Sequence, residues 1–336
     1  MKVLYWGTPH YAVPTLKAIH AAGHDIVGVV SQPDRRRGRG QQIIPSPVKD
    51  QAIKLGLRVF TPERIRRDLD CQQKLAELGA DISVVVAFGQ ILPAEILNQP
   101  PLGCWNGHGS LLPRWRGAAP IQWSILEGDQ ETGVGVMAME EGLDTGPVLL
   151  EQRIPLGLLD NATVIGDRLS DLTAKLMLEA LPVIGSVGPG SSEERLRQLE
   201  VRQQSSGSCY ARLLKKQDFD LNWSQSALAT HRRVMGLYPN AVTTWKGKRL
   251  KITSSEPLIE RLKHQLSTKA ADLVGRWGTG SHQPGTVLDV IENLGFVVSS
   301  SGCPLLVKEA QIEGKRRSSE GILTQQMSSA IGDLLG

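Results

Sequence analysis

Residues Ile82-Ser-Val-Val-Val-Ala87 form an almost continuous apolar run, and this run constrains the fold more than any other stretch. A strand with one wet face alternates apolar and polar residues. A run like this one is a strand buried on both faces, as in a parallel sheet covered by helices. The flanking sequence agrees. Residues 2–7 read as a buried strand, followed by a Gly7-Thr8-Pro9 turn and a helical pattern over 11–22. A strand at 25–31, a helix near 47–55, a short strand at 57–60 and a helix near 70–78 come next. Repeated strand–helix units with right-handed crossovers give a doubly wound sheet. The expected fold class is therefore α/β, Rossmann-like and mostly parallel, over residues 1–185.

After residue 185 the pattern changes. Residues 186–208 are rich in Gly, Ser and charge and read as a linker. Beyond it, in 209–336, short strands are expected at 241–245, 248–253, 285–290, 295–300 and 304–308. Short strands with turn punctuation at this spacing suggest a small, OB-like β-barrel. The hydrophilic span 255–283 reads as an extended loop within it.

A chain of 336 residues suffices for one large or two medium domains. It contains no window of about 18 apolar residues, so no membrane span is expected. The apolar start is too short for a signal peptide. Cys71, Cys104, Cys209 and Cys303 are scattered, with no C-x-x-C pair, so neither a disulfide framework nor structural zinc is expected. A cytoplasmic location fits. No helix offers a clear self-association seam, and a monomer is the default expectation.

The stretch from Asn106 to Pro120, with Gly142-Leu-Asp144-Thr-Gly146, carries the chemistry. Asn106 supplies an amide donor, His108 an imidazole and Asp144 a carboxylate. An amide can hold a developing oxyanion and an imidazole can handle a proton. A carboxylate can orient and charge-balance the imidazole. Asn106 and His108 follow a strand-like run ending at Trp105, where α/β sheets place ligands. A lone His in a loop is ordinarily only a hydrogen-bonding residue; the neighbouring Asn106 and the flanking glycines strengthen the chemical reading, but spacing alone does not show that Asp144 reaches His108. Cys104 also invites a reading as a nucleophile, against the plainer one of a small apolar residue entering a buried site. Gly7-Thr-Pro lacks the later glycines of the dinucleotide fingerprint, so nicotinamide binding is not supported. Neither the P-loop nor the zinc-protease pattern occurs, and no metal is expected.

Two basic features remain. The loop Gln32-Pro-Asp34-Arg35-Arg36-Arg37-Gly-Arg39-Gly40 is either a solvated loop or a phosphate-binding one. Residues 1–206 hold 21 Lys/Arg against 23 Asp/Glu, whereas residues 207–336 hold 17 against 11. That imbalance includes Lys248, Arg249 and Lys251. It either keeps the surface soluble or tracks a nucleic-acid backbone.

Several segments carry a resemblance. They are Trp6-Gly-Thr-Pro-His-Tyr-Ala-Val-Pro14, Gln32-Pro-Asp-Arg with Gly38-Arg-Gly40, Pro45-Ser-Pro-Val-Lys49, Phe88-Gly-Gln-Ile-Leu-Pro93, and Asn106 to Pro120. Glu127-Gly-Asp, Gly142-Leu-Asp-Thr-Gly146, Asp220-Leu-Asn-Trp223 and Lys248-Arg-Leu-Lys-Ile252 extend it over nearly the whole chain. On these residues the chain resembles the methionyl-tRNA formyltransferases, within the 10-formyltetrahydrofolate-dependent formyltransferase family. Asn-x-His-x-Ser-Leu-Leu-Pro is similar to the core of that whole family. The basic loop and C-terminal part point to the tRNA enzymes.

The resemblance implies the formyltransferase fold and a 10-formyltetrahydrofolate donor, with initiator methionyl-tRNA as acceptor and partner. It also implies site roles. Ser110, Leu111, Leu112 and Pro113 would line the folate pocket, and backbone from Phe88 through Gln90 to Leu92 would hold the pterin. Arg35, Arg36, Arg37 and Arg39 would meet the acceptor end of the tRNA, and Lys248, Arg249 and Lys251 its stem. Gly107 departs from the family, which often has a β-branched residue there, and is expected to loosen the backbone between Asn106 and His108. A UDP-amino-sugar formyltransferase, a formyltetrahydrofolate hydrolase and a non-catalytic RNA-binding protein are the rival readings.

Overall fold

A computed structural model describes residues 1–37, 42–278 and 282–336. The chain divides into two units, each interrupted in sequence. The first comprises residues 1–120, 132–154 and 166–212; the second comprises 121–131, 155–165 and 213–336.

In the first unit, β1 (Lys2–Gly7) leads through α1 (Val13–Ala21) to β2 (Asp25–Val30). A hairpin of β3 (Arg35–Arg37) and β4 (Gln42–Ile44) precedes α2 (Pro47–Lys54) and β5 (Val59–Phe60). Then come α3 (Leu69–Ala76), β6 (Ile82–Val86), α4 (Ala94–Leu97), β7 (Cys104–His108) and β8 (Arg116–Gly117). Helix α5 (Pro120–Glu127), which after its first residue belongs to the second unit, leads to β9 (Glu131–Ala138), β10 (Val148–Pro155) and α6 (Ala162–Ser186), whose first turn is also in the second unit. The unit ends with α7 (Ser192–Gln198) and β11 (Tyr210–Ala211). Ser46 starts α2 by accepting from the Lys49 N–H at 3.0 Å, with Pro47 at the first helical position.

Seven strands form one sheet in the order β10-β9-β7-β6-β1-β2-β5. Strands β7, β6, β1, β2 and β5 run parallel, and β9 is antiparallel to β7. The Ile82–Val86 run lies in its middle with every residue buried, as its apolar continuity requires. Trp6 and Phe88 meet edge to face at 5.1 Å in the core on one side of the sheet. The Trp6 indole N–H donates to Ser83 Oγ at 3.2 Å, so the ring is buried without an orphan donor.

Four expectations need correction. Asn106 and His108 do not follow a strand; they lie inside β7, paired with Met137 and Gly135 of β9. Gly107 therefore does not loosen the backbone. It pairs with Val136, and a Cβ there would collide with Thr173 Cγ2 of α6. The absent side chain makes room for a close helix–sheet contact. The span 255–283 is not one loop, because its first residues continue a strand and short helices follow. The stretch 186–208 holds α7, and Arg202 exchanges two backbone hydrogen bonds with Val148, at 2.8 and 2.9 Å.

In the second unit, α8 (Ala227–Gly236) precedes β12 (Val242–Trp245) and β13 (Lys248–Pro257). A two-turn 3-10 segment, Glu260–Gln265, and α9 (Thr268–Ala271) occupy the region after β13. Strands β14 (Val287–Ile291), β15 (Gly295–Val298), β16 (Leu305–Ile312) and β17 (Ser318–Ser319) follow, then α10 (Glu320–Met327). The strands form an antiparallel sheet in the order β12-β13-β16-β15-β14, with β17 beside β16.

Candidate active site

The chain runs outward from β1 through β2 to β5, then returns to place β6 on the other side of β1. The turns after β1 and β6 thus flank a crevice at the carboxyl ends of parallel strands, where open α/β sheets bind ligands. A cavity of about 250 Å³ lies there, lined by residues that include Thr8, Gln32, Arg35, Ala87 and Phe88. The Phe88 carbonyl accepts from Thr8 Oγ1 at 2.8 Å and Gln32 Nε2 at 3.3 Å, which fixes the floor of this crevice.

Strand β7 lies next to β6, with Asn106 opposite Val85. Continuing that register brings His108 level with Ala87, at the same edge of the sheet. Asp144 arrives from the connection between β9 and β10. Asn106 Nδ2 donates to Asp144 Oδ1 at 3.4 Å, and His108 Nδ1 lies 3.7 Å from Asp144 Oδ2. The structure therefore brings these three side chains together. Asn106 and His108 are buried, at 9% and 6% exposure, so their interactions act in a medium of low effective dielectric.

The partners of the cluster define its proton positions. His108 Nε2 lies 2.9 Å from the Trp115 carbonyl. A carbonyl only accepts, so Nε2 carries a hydrogen. Nδ1 is left facing the carboxylate. Asp144 itself is anchored by the Gly117 N–H, which donates to Oδ2 at 2.7 Å. Both Trp115 (φ 62°) and Asp144 (φ 53°) sit in the left-handed region, which costs free energy for residues with a Cβ. Gly117 has a φ of 109°, which disfavours any side chain, and a Cβ there would also press on the Ala211 carbonyl oxygen at 3.0 Å.

The residues assigned to the folate pocket behave unequally. Ser110 is fully buried and donates to the Arg114 carbonyl at 2.7 Å. Leu112 packs against Met137 and Val148, Leu111 and Pro113 are half-buried, and none of these four lines the cavity at the crevice. Phe88 lines it. The Gln90 side chain is turned away, accepting from the Ile65 N–H at 2.8 Å and donating to the Pro62 and Glu63 carbonyls. Leu92 is in the core. Gln90 and Leu92 thus shape the turn, and only their backbone remains to meet a ligand. Cys104 is fully buried, and burial pushes its thiol up to about 12, which removes it as a nucleophile near neutral pH.

Among the basic residues, Arg35 lines the cavity, and Arg36 and Arg37 continue β3, paired with Ile43 and Gln42. Arg39 lies outside the described residues. In the second unit, alternation along β13 puts Arg249 and Lys251 on one face and Lys248 on the other. Lys251 Nζ donates to Asn240 Oδ1 at 3.2 Å, while Lys248 and Arg249 are exposed. Among the described residues, no group of His, Cys, Asp and Glu has the arrangement of a metal site. No described helix is long and apolar enough to cross a membrane.

Residues 1–181 match the family described as "Formyl transferase", and residues 213–323 match "Formyl transferase, C-terminal domain". The chain belongs to the formyl transferase family. A methionyl-tRNA formyltransferase of Parasynechococcus marenigrum (strain WH8102) is 68% identical, covering 100% of this chain and 99% of its own length. Another, from Synechococcus sp. (strain CC9605), is 67% identical with the same coverage. Among solved structures, WlaRD, a sugar 3N-formyl transferase, aligns with a TM-score of 0.60 at 17% identity, over 94% of this chain and 99% of that one. That likeness shows the fold.

Sequence reasoning missed the residues that hold Asp144. Gly117 contributes through its N–H to Asp144, and the Trp115 carbonyl holds His108 instead; such backbone groups leave no mark in composition. Gln204, in the stretch read as a linker, donates to the Asp144 and Gly146 carbonyls at 2.8 and 2.7 Å.

Proposed function

We propose that this chain transfers the formyl group of 10-formyltetrahydrofolate to the α-amino group of methionyl initiator tRNA, giving N-formylmethionyl-tRNA for translation initiation. The single observation that carries the chemistry is the convergence of Asn106, His108 and Asp144 at the crevice edge. The near-complete match to methionyl-tRNA formyltransferases supports the acceptor. WlaRD was solved in the presence of 5-N-formyl-THF, which supports a folate donor for this fold.

The donor supplies an acyl carbon bonded to nitrogen. Attack by the neutral amine puts negative charge on the formyl oxygen. The Asn106 side-chain NH₂ has a hydrogen free to meet that oxygen, since only one is used on Asp144. His108 takes the amine proton at Nδ1 and returns it to the leaving nitrogen, while Asp144 balances the charge on the ring. Trp115 and Gly117 fix which nitrogen and which carboxylate oxygen take part. In the reading proposed here, Phe88 and the Ser110–Pro113 segment bound the donor. Arg35, Arg36, Arg37 and Arg39, with Lys248, Arg249 and Lys251, meet tRNA phosphates, and the reaction is cytoplasmic.

Purified protein is to be given 10-formyltetrahydrofolate with charged initiator tRNA, a UDP-amino sugar, or no acceptor. Formylation of the tRNA alone is expected. Formylated sugar, or release of formate without an acceptor, would overturn the assignment.

A further inference from the structure

We propose that Gln204 is a positioning residue for Asp144, and that the segment around it is a working part of the active site. This rests on the reading of Asp144 as part of the formyl-transfer machinery. All hydrogen-bonding capacity of the Gln204 amide is directed at two loops of the site. Its Nε2 donates one hydrogen to the Asp144 carbonyl and one to the Gly146 carbonyl. Its Oε1 accepts from Arg116 Nε at 2.9 Å and Arg116 Nη2 at 2.8 Å. A primary amide has two donors and an acceptor with two lone pairs, so the group is saturated.

The two loops it joins are the two that must stay in register for the carboxylate to function. Arg116 precedes Gly117, whose N–H holds Asp144 Oδ2. Asp144 occupies a left-handed conformation that persists only where its surroundings impose it. Gln204 grips the carbonyl of that residue while bonding the residue before its anchoring amide. The neighbouring chain repeats the arrangement. Arg202 bonds the Leu112 carbonyl at 3.1 Å and Glu151 at 2.7 Å. Cys209 and Ala211 accept from the backbone N–H groups of Arg116, Ala118 and Ala119 at 3.0, 2.8 and 3.1 Å. Gln204 is half-buried while its neighbours Gln203 and Ser205 are exposed, as expected for one side chain turned inward from a surface strap.

Removing Gln204 leaves every reacting group in place and frees the Asp144 loop. In the full-length enzyme, Gln204→Ala is expected to lower kcat by roughly 10- to 100-fold, with KM for both substrates within about twofold. In an Asp144→Ala background the same change is expected to cost less than about twofold, because the residue acts through Asp144. Gln204→Glu keeps the acceptors for Arg116 and loses both donors, so it is expected to reproduce the loss while preserving the fold. Exchange of the Gly117 amide hydrogen supplies a readout independent of activity. It is expected to speed up in both Gln204 variants while amides of β1 and β6 stay protected. Equal losses in the two backgrounds, wild-type kcat in Gln204→Glu, or an unchanged Gly117 amide would overturn the proposal. If the unaltered protein transfers no formyl group yet the Gly117 amide responds, the positioning role stands and the assigned reaction falls.

Discussion

Each unit buries a histidine, and the two are used in opposite ways. His108 bonds the Trp115 carbonyl through Nε2 and leaves Nδ1 facing a carboxylate 3.7 Å away. His231, on α8, has both nitrogens occupied: Nε2 donates to the Leu158 carbonyl at 2.8 Å and Nδ1 accepts from Ser255 Oγ at 3.0 Å. A neutral ring satisfies both of its partners. Burial is the main reason its pKa falls to about 4, with Arg232 acting in the same direction and the Leu158 bond and Glu256 opposing. Burial therefore does not mark a catalytic histidine. The mark is one nitrogen fixed and the other left beside a group that can share its proton.

The largest effects separate the two rings. His108→Gln is expected to cut kcat by roughly 100- to 10,000-fold with unfolding unchanged. His231→Gln is expected to do the reverse, lowering stability while kcat stays within about twofold. Steady-state kinetics beside chemical denaturation of both variants decides this; loss of catalysis in both at unchanged stability would break the comparison.

The same contrast has a pH signature. The unfolded chain protonates His231 near the ordinary 6.5, whereas the folded chain resists until about 4. Between those values the unfolded state binds more protons, so stability is lost as pH falls. The loss reaches roughly 3 kcal/mol across that window. Denaturation midpoints from pH 7 to 4 should show this drop, and His231→Gln should flatten it. An unaltered slope in the variant would assign the acid sensitivity elsewhere.

Much of this contrast was legible in the residues, but unevenly. The apolar continuity of Ile82–Val86 was enough to place the central strand, because burial on both faces leaves no other pattern. The end of β7 was not legible. Asn, Gly and His lower strand propensity, yet pairing with β6 as far as Asn106 and with β9 as far as His108 carries the strand on. In β13, register shifts around Ser254 interrupt the alternation, which hid the strand's continuation to Pro257. The types of Asn106, His108 and Asp144 suggested their chemistry, but their meeting depends on tertiary structure. Gln204 carried no signal at all, since a polar run without period reads as a linker.

A smaller effect concerns how β7 is seated. Gly107→Ala would drive a methyl group into Thr173 Cγ2, whose own hydroxyl is held by the Leu169 carbonyl and Tyr11 at 2.7 Å each. The expected cost is about 1–3 kcal/mol of stability. Thr173→Ser removes the obstructing methyl and keeps the hydroxyl. The double variant should therefore recover most of the loss; additive destabilisation would show that the contact is not what limits position 107.

The most direct test of the central claim is kcat of Asn106→Ala, measured together with binding of 10-formyltetrahydrofolate. Loss of a donor to the developing oxyanion predicts a fall of roughly 100- to 1,000-fold with folate binding retained. An unchanged kcat would remove Asn106 from the chemistry and contradict the account.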